Sequence, residues 1–305
     1  MHPADLLQAS IERNRSVAVV GLDPRPALIP PALREEALGT FGDTAEAVAH
    51  AFARFNRGLL KAVAGACAAV KPQLACYEAY GAAGIRAYED TVRAAREFAI
   101  PVLADGKRND IGSTAEHYAQ AFFGGAPGLS GAALAAPAPA DWLTVNAYLG
   151  SDGILPFQSK PDHGIFVLVK TSNPSSGEIQ DQRLADPRTG PAVSEAVARL
   201  VAGWGGNRLG ASGLSSVGAV VGATYPEQAR QLRELMPDTM FLVPGYGAQG
   251  GSAADALAGR RSDGRGVLVN SSRGIIAAWQ RADTQRWDEA ARGALDAMNA
   301  DLARA

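Results

Sequence analysis

Short apolar runs recur along this chain, and nearly every one stops at a polar or charged residue. The first, Val17-Ala18-Val19-Val20-Gly21-Leu22-Asp23-Pro24, reads as a buried strand halted by proline. Similar runs follow at residues 67–73, 102–108, 142–148, 164–172, 217–224, 241–247 and 266–272. Between them, apolar residues return at helical spacing. Val48, Phe52, Phe55, Leu59 and Val63 share one face, and Tyr80, Ile85, Tyr88, Val92 and Ala95 form an approximate stripe across residues 77–98. Further helices are predicted at residues 193–204, from Pro226 to about Leu235, and at 283–303, with a short helical pattern in residues 1–15. Asp43-Thr44-Ala45-Glu46 and Ser113-Thr114-Ala115-Glu116 have capping-box spacing, the second opening a helix through Phe123.

Eight strands alternating with helical stretches argue for a parallel sheet, and this many units in one chain predict an α/β fold of the (β/α)8-barrel type. A dinucleotide fold is the weaker choice, because no G-x-G-x-x-G follows the first strand. No linker divides the chain, so residues 1–305 are read as a single barrel domain. Residues 24–42 read as a Pro-rich connection. Two stretches are read as surface excursions: 124–140, rich in Gly, Ala and Pro with room for one helical turn, and 173–190, polar and long enough for a lid or binding loop.

The third run carries the densest chemistry. In Leu103-Ala104-Asp105-Gly106-Lys107-Arg108-Asn109-Asp110, strand alternation puts Leu103, Asp105 and Lys107 on one face, while Asp110 lies past the strand's end. Alone, D-x-K is as readily a surface ion pair. The C-terminal rim of such a barrel also collects Asp23, Lys71, Asn146, Ser172, Thr224 and Arg273. Asp-Pro at residue 23 is commonly only a turn, and a strand-end lysine such as Lys71 commonly reaches solvent. Their convergence on one rim favours the functional reading. A second constellation follows the last two strands. Pro244-Gly245-Tyr246-Gly247-Ala248-Gln249-Gly250-Gly251 offers backbone N–H groups, and Asn270-Ser271-Ser272-Arg273-Gly274 opens a helix, which together suit an anion.

Composition narrows the function classes. A net charge of -2 and a pI near 6.1 give no case for nucleic-acid binding. Two cysteines, Cys67 and Cys76, do not make a disulfide framework and fit the reducing cytoplasm. His2, His50, His117 and His163 show no ligand spacing, so no metal site is expected, and the interleaved lysines oppose one made of carboxylates. No run approaches the ~18 apolar residues of a membrane span, and the N-terminus lacks the apolar core of a signal peptide.

These residues resemble the orotidine 5'-phosphate decarboxylase family, in its longer bacterial form, often called type 2. The resemblance rests on Gly21-Leu22-Asp23-Pro24, Val70-Lys71-Pro72-Gln73, the D-x-K-x-x-D-I-G-S-T-A string from Asp105 to Ala115, Lys170-Thr171-Ser172-Asn173-Pro174, the Gly-rich loop at 244–251 and Asn270-Ser271-Ser272-Arg273-Gly274. These segments span nearly the whole chain. The resemblance implies cofactor-independent decarboxylation of orotidine 5'-monophosphate to uridine 5'-monophosphate, the last step of de novo pyrimidine synthesis. It implies that Lys107 is the proton donor, that Asp105 lies against the substrate carboxylate, and that Lys71 and Asp110 complete the charge network. Asp23 and Lys71 resemble ribose ligands, Ser172 a pyrimidine contact, and Gln249 and Arg273 phosphate ligands. The resemblance places Asp110 and Thr114 at the neighbour's ribose in a homodimer, and the Gly-rich loop is the candidate for closure. Two rival readings share parts of this pattern. Metal-dependent 3-keto-gulonate-phosphate decarboxylases share the D-x-K-x-x-D element but are expected to carry an acidic ligand where Lys71 stands. A non-catalytic phosphoribosyl-binding barrel would need Gln249 and Arg273 without the charge network.

Overall fold

The computed structural model describes residues 1–305. Its centre is eight parallel strands: β1 (Ala18–Leu22), β2 (Ala69–Pro72), β3 (Leu103–Arg108), β4 (Trp142–Val145), β5 (Gly164–Lys170), β6 (Val217–Val221), β7 (Phe241–Val243) and β8 (Val267–Ser271). They pair in the order β2-β1-β8-β7-β6-β5-β4-β3. The two outer strands of that order meet through the bridges Val70–Val102 and Gln73–Asp105, which close the barrel. Every residue of β1 is buried, as a strand with side chains inside and helices outside must be.

The barrel interior is filled rather than hollow. Val19, Leu103, Phe166, Leu242 and Leu268 pack with Trp142, whose ring stacks on Phe166 at 4.5 Å. Such a pair adds about 1 kcal/mol beyond its buried area. Glycines make room for it: a Cβ on Gly164 would lie 2.5 Å from the Trp142 ring, and one on Gly218 would lie 2.4 Å from Phe166.

Helix α1 (Pro3–Asn14) plugs the N-terminal mouth. Ala4 and Leu7 enter the interior cluster, the Trp142 indole donates to Pro3 O, and Ser10 Oγ donates to Ala68 O just ahead of β2. Asp5 takes the backbone N–H groups of Ala211 and Ser212. With that end sealed, the cleft opens only at the C-terminal ends of the strands. Around the barrel run α2 (Pro31–Phe41), α3 (Ala45–Val63), α4 (Gly81–Glu97), α5 (Gly112–Phe123), α6 (Val193–Gly205), α7 (Pro226–Leu235) and α8 (Trp287–Arg304). Between β4 and β5 two 3-10 turns, Gly150–Gly153 and Leu155–Gln158, replace a helix.

Several local expectations are corrected. Residues 24–42 are not merely a connection: α2 forms there, started by Pro31 at its first position. Helix α3 is capped by Thr44 and not Asp43. The Thr44 hydroxyl donates to Phe41 O while accepting from Ala47 N, a double role that a carboxylate lacks. No capping box forms at Ser113, because α5 starts at Gly112 and so draws Ser113 into its first turn. The 124–140 excursion holds a small hairpin, Ala126–Pro127 against Ala133–Leu134, rather than a helical turn. The 173–190 segment carries a 3-10 turn, Pro174–Ser176, and a one-turn helix, Gly177–Gln180.

Candidate active site

A cavity of about 670 Å³ opens at the C-terminal rim. Asp23, Lys71, Asp105, Lys107, Ser172, Gln249 and Arg273 all line it, although they come from six different strands or the loops after them. Parallel strands of similar length end at one rim, so distance along the chain becomes proximity in space.

Asp105 is the centre. It is 5% exposed, and both of its oxygens are taken up. Lys71 Nζ donates to Oδ2 at 2.5 Å, and the Gln73 amide reaches the same oxygen at 2.9 Å. Lys107 Nζ donates to Oδ1 at 2.6 Å, joined by Thr144 Oγ at 2.9 Å. Burial works against the charge on Asp105, but Lys71 and Lys107 outweigh it and hold the carboxyl well below its usual range. Burial likewise opposes the ammonium of Lys71, yet Asp105 and Asp23 outweigh that effect and raise it. Each buried charge therefore persists because its neighbours have the opposite sign.

Lys107 does not arrive by simple alternation. The register of β3 against β4 shifts between Ala104 and Arg108, and Lys107 sits at φ 45°. A non-glycine residue in this left-handed region costs on the order of 1 kcal/mol and needs support. Thr144 supplies it, accepting the Lys107 backbone N–H at 2.9 Å while its own proton goes to Asp105. The bulge re-aims Lys107 into the cavity, where its side chain is 46% exposed and so open to a ligand.

Across the cavity, the 244–251 loop turns on Gly245 at φ 104° and Gly250 at φ 94°, which presents exposed Gln249 beside exposed Arg273. The helix after Ser272 is a single turn, Arg273–Ile276. A Cβ on Gly245 would come within 3.2 Å of Ser172 and 3.4 Å of Gln249, so this loop packs directly against the end of β5.

Other expected residues fall elsewhere. Asp110 and Thr114 do not line the cavity; Asp110 Oδ1 takes the Ile111 N–H, and Thr114 is exposed on α5. Within the chain, Asp110 is therefore no part of the network around Lys107. Asn146 caps Tyr148 N, and Thr224 Oγ donates to Ser172 O, so neither faces the cavity. Arg25, Gln73, Thr144, Asn173, Gln180 and Asn270 line it without having been singled out. Gln73 follows Lys71 at strand spacing, a signal that was available in the sequence. Asp23 Oδ1 and Asn270 Oδ1 are buried here without a hydrogen-bond donor. No group of three or more His, Cys, Asp or Glu side chains gathers to hold a metal.

A barrel with a buried aspartate between two lysines at one side of its C-terminal rim, and a Gly-rich loop beside an exposed arginine at the other, has the build of a (β/α)8 enzyme. Sequence and fold comparisons make this specific. Residues 20–286 match the model of the orotidine 5'-phosphate decarboxylase / HUMPS family, and the chain belongs to that family. It is 44% identical to orotidine 5'-phosphate decarboxylase of Rhodopirellula baltica, covering 98% of both chains. The Haloarcula marismortui enzyme of the same name is 42% identical over 94% of this chain and 91% of its own. Among solved structures, Leishmania donovani OMP decarboxylase superposes with a TM-score of 0.74 at 33% identity, covering 100% of each chain.

Proposed function

We propose that this chain is a carboxy-lyase that converts orotidine 5'-monophosphate to uridine 5'-monophosphate and carbon dioxide, using no metal or organic cofactor. The observation that carries this reading is one buried carboxylate, Asp105, holding two ammonium groups at 2.5 and 2.6 Å on the wall of the cavity. The cavity's charged lining is Arg25, Lys71, Lys107 and Arg273 against Asp23 and Asp105, an excess of two positive charges that suits a phosphorylated acid.

Loss of carbon dioxide leaves an electron pair on C6, in the ring plane and outside the conjugated system. Lys107 Nζ stabilises that pair as it develops and then gives it a proton. Asp105 holds Lys107 in place, and its charge beside the substrate carboxylate raises the bound ground state, a strain relieved when carbon dioxide departs. Asp23 and Lys71 take the ribose hydroxyls; the unpartnered oxygen of Asp23 is suited to accept one. Ser172 meets the pyrimidine. Gln249, Arg273 and the loop N–H groups hold the phosphate, and closure of the 244–251 loop turns that binding energy into orientation. The EDTA-treated protein should consume orotate absorbance and yield uridine 5'-monophosphate. Tight product binding without turnover would instead make it a binding barrel.

Arg273→Ala is expected to weaken uridine 5'-monophosphate by about 100-fold, the scale of a lost charge-assisted bidentate contact, and uridine hardly at all. Calorimetry on both ligands checks it, and equal losses would remove the phosphate role.

We further place Asp110 and Thr114 at the ribose of a second copy in a homodimer. Supporting this, Ile111 and Leu155 are each 52% exposed beside them, an apolar surface next to carboxylate and hydroxyl. Mixing inactive Asp110→Ala and Lys107→Ala subunits should then recover up to about a quarter of wild-type activity, since a two-fold dimer of this kind holds one intact site in the mixed species. No recovery after verified exchange would count against the shared site. No helix is long and apolar enough to cross a membrane, and the unpaired Cys67 and Cys76 fit a reducing cytoplasm.

A further inference from the structure

We infer that Asn173 reads a carbonyl oxygen of the pyrimidine with an amide N–H whose direction is fixed by a hydrogen-bond relay behind it. The inference rests on the nucleotide reading above and extends it to how the base is chosen.

The relay starts from an atom that leaves no choice. The Thr171 backbone N–H can only donate, and it points at Gln180 at 2.9 Å, so the Gln180 atom there is its carbonyl Oε1. The Gln180 Nε2 must then be the group 2.8 Å from Thr171 Oγ, and it donates to it. The Thr171 hydroxyl has one proton left to give, and Asn173 Oδ1 accepts it at 2.7 Å. With its oxygen so engaged, Asn173 is left with the Nδ2 amine, which meets no acceptor in the chain. Asn173 lines the cavity together with Thr171, Ser172 and Gln180.

The far end of the relay is anchored. Asp181, next to Gln180, receives both 2.8 Å contacts from Lys170 Nζ, which is fully buried at the end of β5. That ammonium also lies 4.2 Å from the centre of the Tyr225 ring and donates to Ser176 Oγ. Gln228 adds a bond to Asp181. The loop beyond β5 is thus clasped to β5 and to the start of α7, and it cannot turn Asn173 over cheaply.

Position selects the ligand atom. The proton-transfer cluster lies on β3 and the phosphate loops follow β7 and β8, so a nucleotide spanning them turns its base toward β4 and β5. A fixed donor there favours a ring carbonyl, as in a uracil or orotate base, over an exocyclic amine.

The test measures binding of uridine 5'-monophosphate, cytidine 5'-monophosphate and ribose 5-phosphate to the full chain by calorimetry. Asn173→Ala should weaken uridine 5'-monophosphate about tenfold and leave ribose 5-phosphate unchanged. Asn173→Asp, which replaces the donor with an acceptor, should weaken it further and narrow the preference over cytidine 5'-monophosphate. Gln180→Glu keeps the acceptor for Thr171 N–H but removes the donated proton, and should reproduce part of the Asn173→Ala loss. Unchanged uridine 5'-monophosphate binding in the Asn173 variants, or equal weakening of ribose 5-phosphate, would overturn the assignment while the decarboxylase reading stood. A wild-type chain that binds no uridine 5'-monophosphate would overturn both.

Discussion

Lys107→Ala is expected to lower the single-turnover rate by at least about 10⁴-fold, the combined scale of a lost general acid and a lost charge at the developing carbanion. The fold should survive. Lys107 lies at the mouth with its side chain 46% exposed, and its contact with Asp105 is one of four that the carboxylate makes. Alanine keeps the backbone N–H that donates to Thr144, so the bulge keeps its support. Asp105 loses one of the two ammonium groups that hold it low, and its pKa should rise in the variant. Product binding by the variant separates loss of chemistry from loss of the site. Activity within about tenfold of wild type would remove Lys107 from the proton-transfer role.

The second large effect belongs to Asp105→Asn, and it falls on stability as well as turnover. The substitution takes from Lys71, 5% exposed, the carboxylate it is hydrogen-bonded to and leaves only the more distant Asp23. Removing one member of a buried ion pair costs about 3–5 kcal/mol. The pH dependence has a definite sign. The folded pKa of Asp105 is depressed, so its stabilisation is fully present above the unfolded value of about 3.9 and is lost as pH falls through the folded value. The gap in unfolding free energy between wild type and variant should therefore be constant near neutrality and shrink only in strong acid. Denaturant melts across pH measure it, and a gap that widened toward acid would contradict the ionised carboxylate. Lys71, raised by the same partner, should lose that elevation in the variant and become easier to deprotonate.

Much of this architecture is legible in residue order because the fold repeats one unit. Each apolar run is buried on both sides, so it carries few polar residues until the chain leaves the barrel, and the polar residues at its end gather near the rim. That is why Asp23, Lys71, Asp105, Ser172 and Arg273 are legible as one group in residue order. The same rule overreached at Asn146 and Thr224. Each turns its side chain to satisfy neighbouring backbone instead of the cavity. The caps fall at Thr44 and Ile111, not at Asp43 and Ser113, because where several residues adjoin, the path of the incoming chain decides which is used.

Thr144, Asn173 and Gln180 illustrate what pattern could not supply. Their residue types are ordinary, and hydrophobic period alone marks none of them. Thr144 matters because β3 slips its register against β4 at that point, bringing one hydroxyl between the Lys107 backbone and Asp105. Gln180 matters because a loop folds back on Thr171, pinned by Lys170 through Asp181.

By itself the sequence determined the (β/α)8 barrel, the rim on which these polar residues gather, and the sign of nearly every charge there, since these follow from hydrophobic period and strand order. The tertiary structure decided which of those charges touch, which oxygens are already taken, and which groups leave the cavity. Such contacts depend on register, bulges and loop packing over a few ångströms, and those are settled by pairings between residues far apart in the chain.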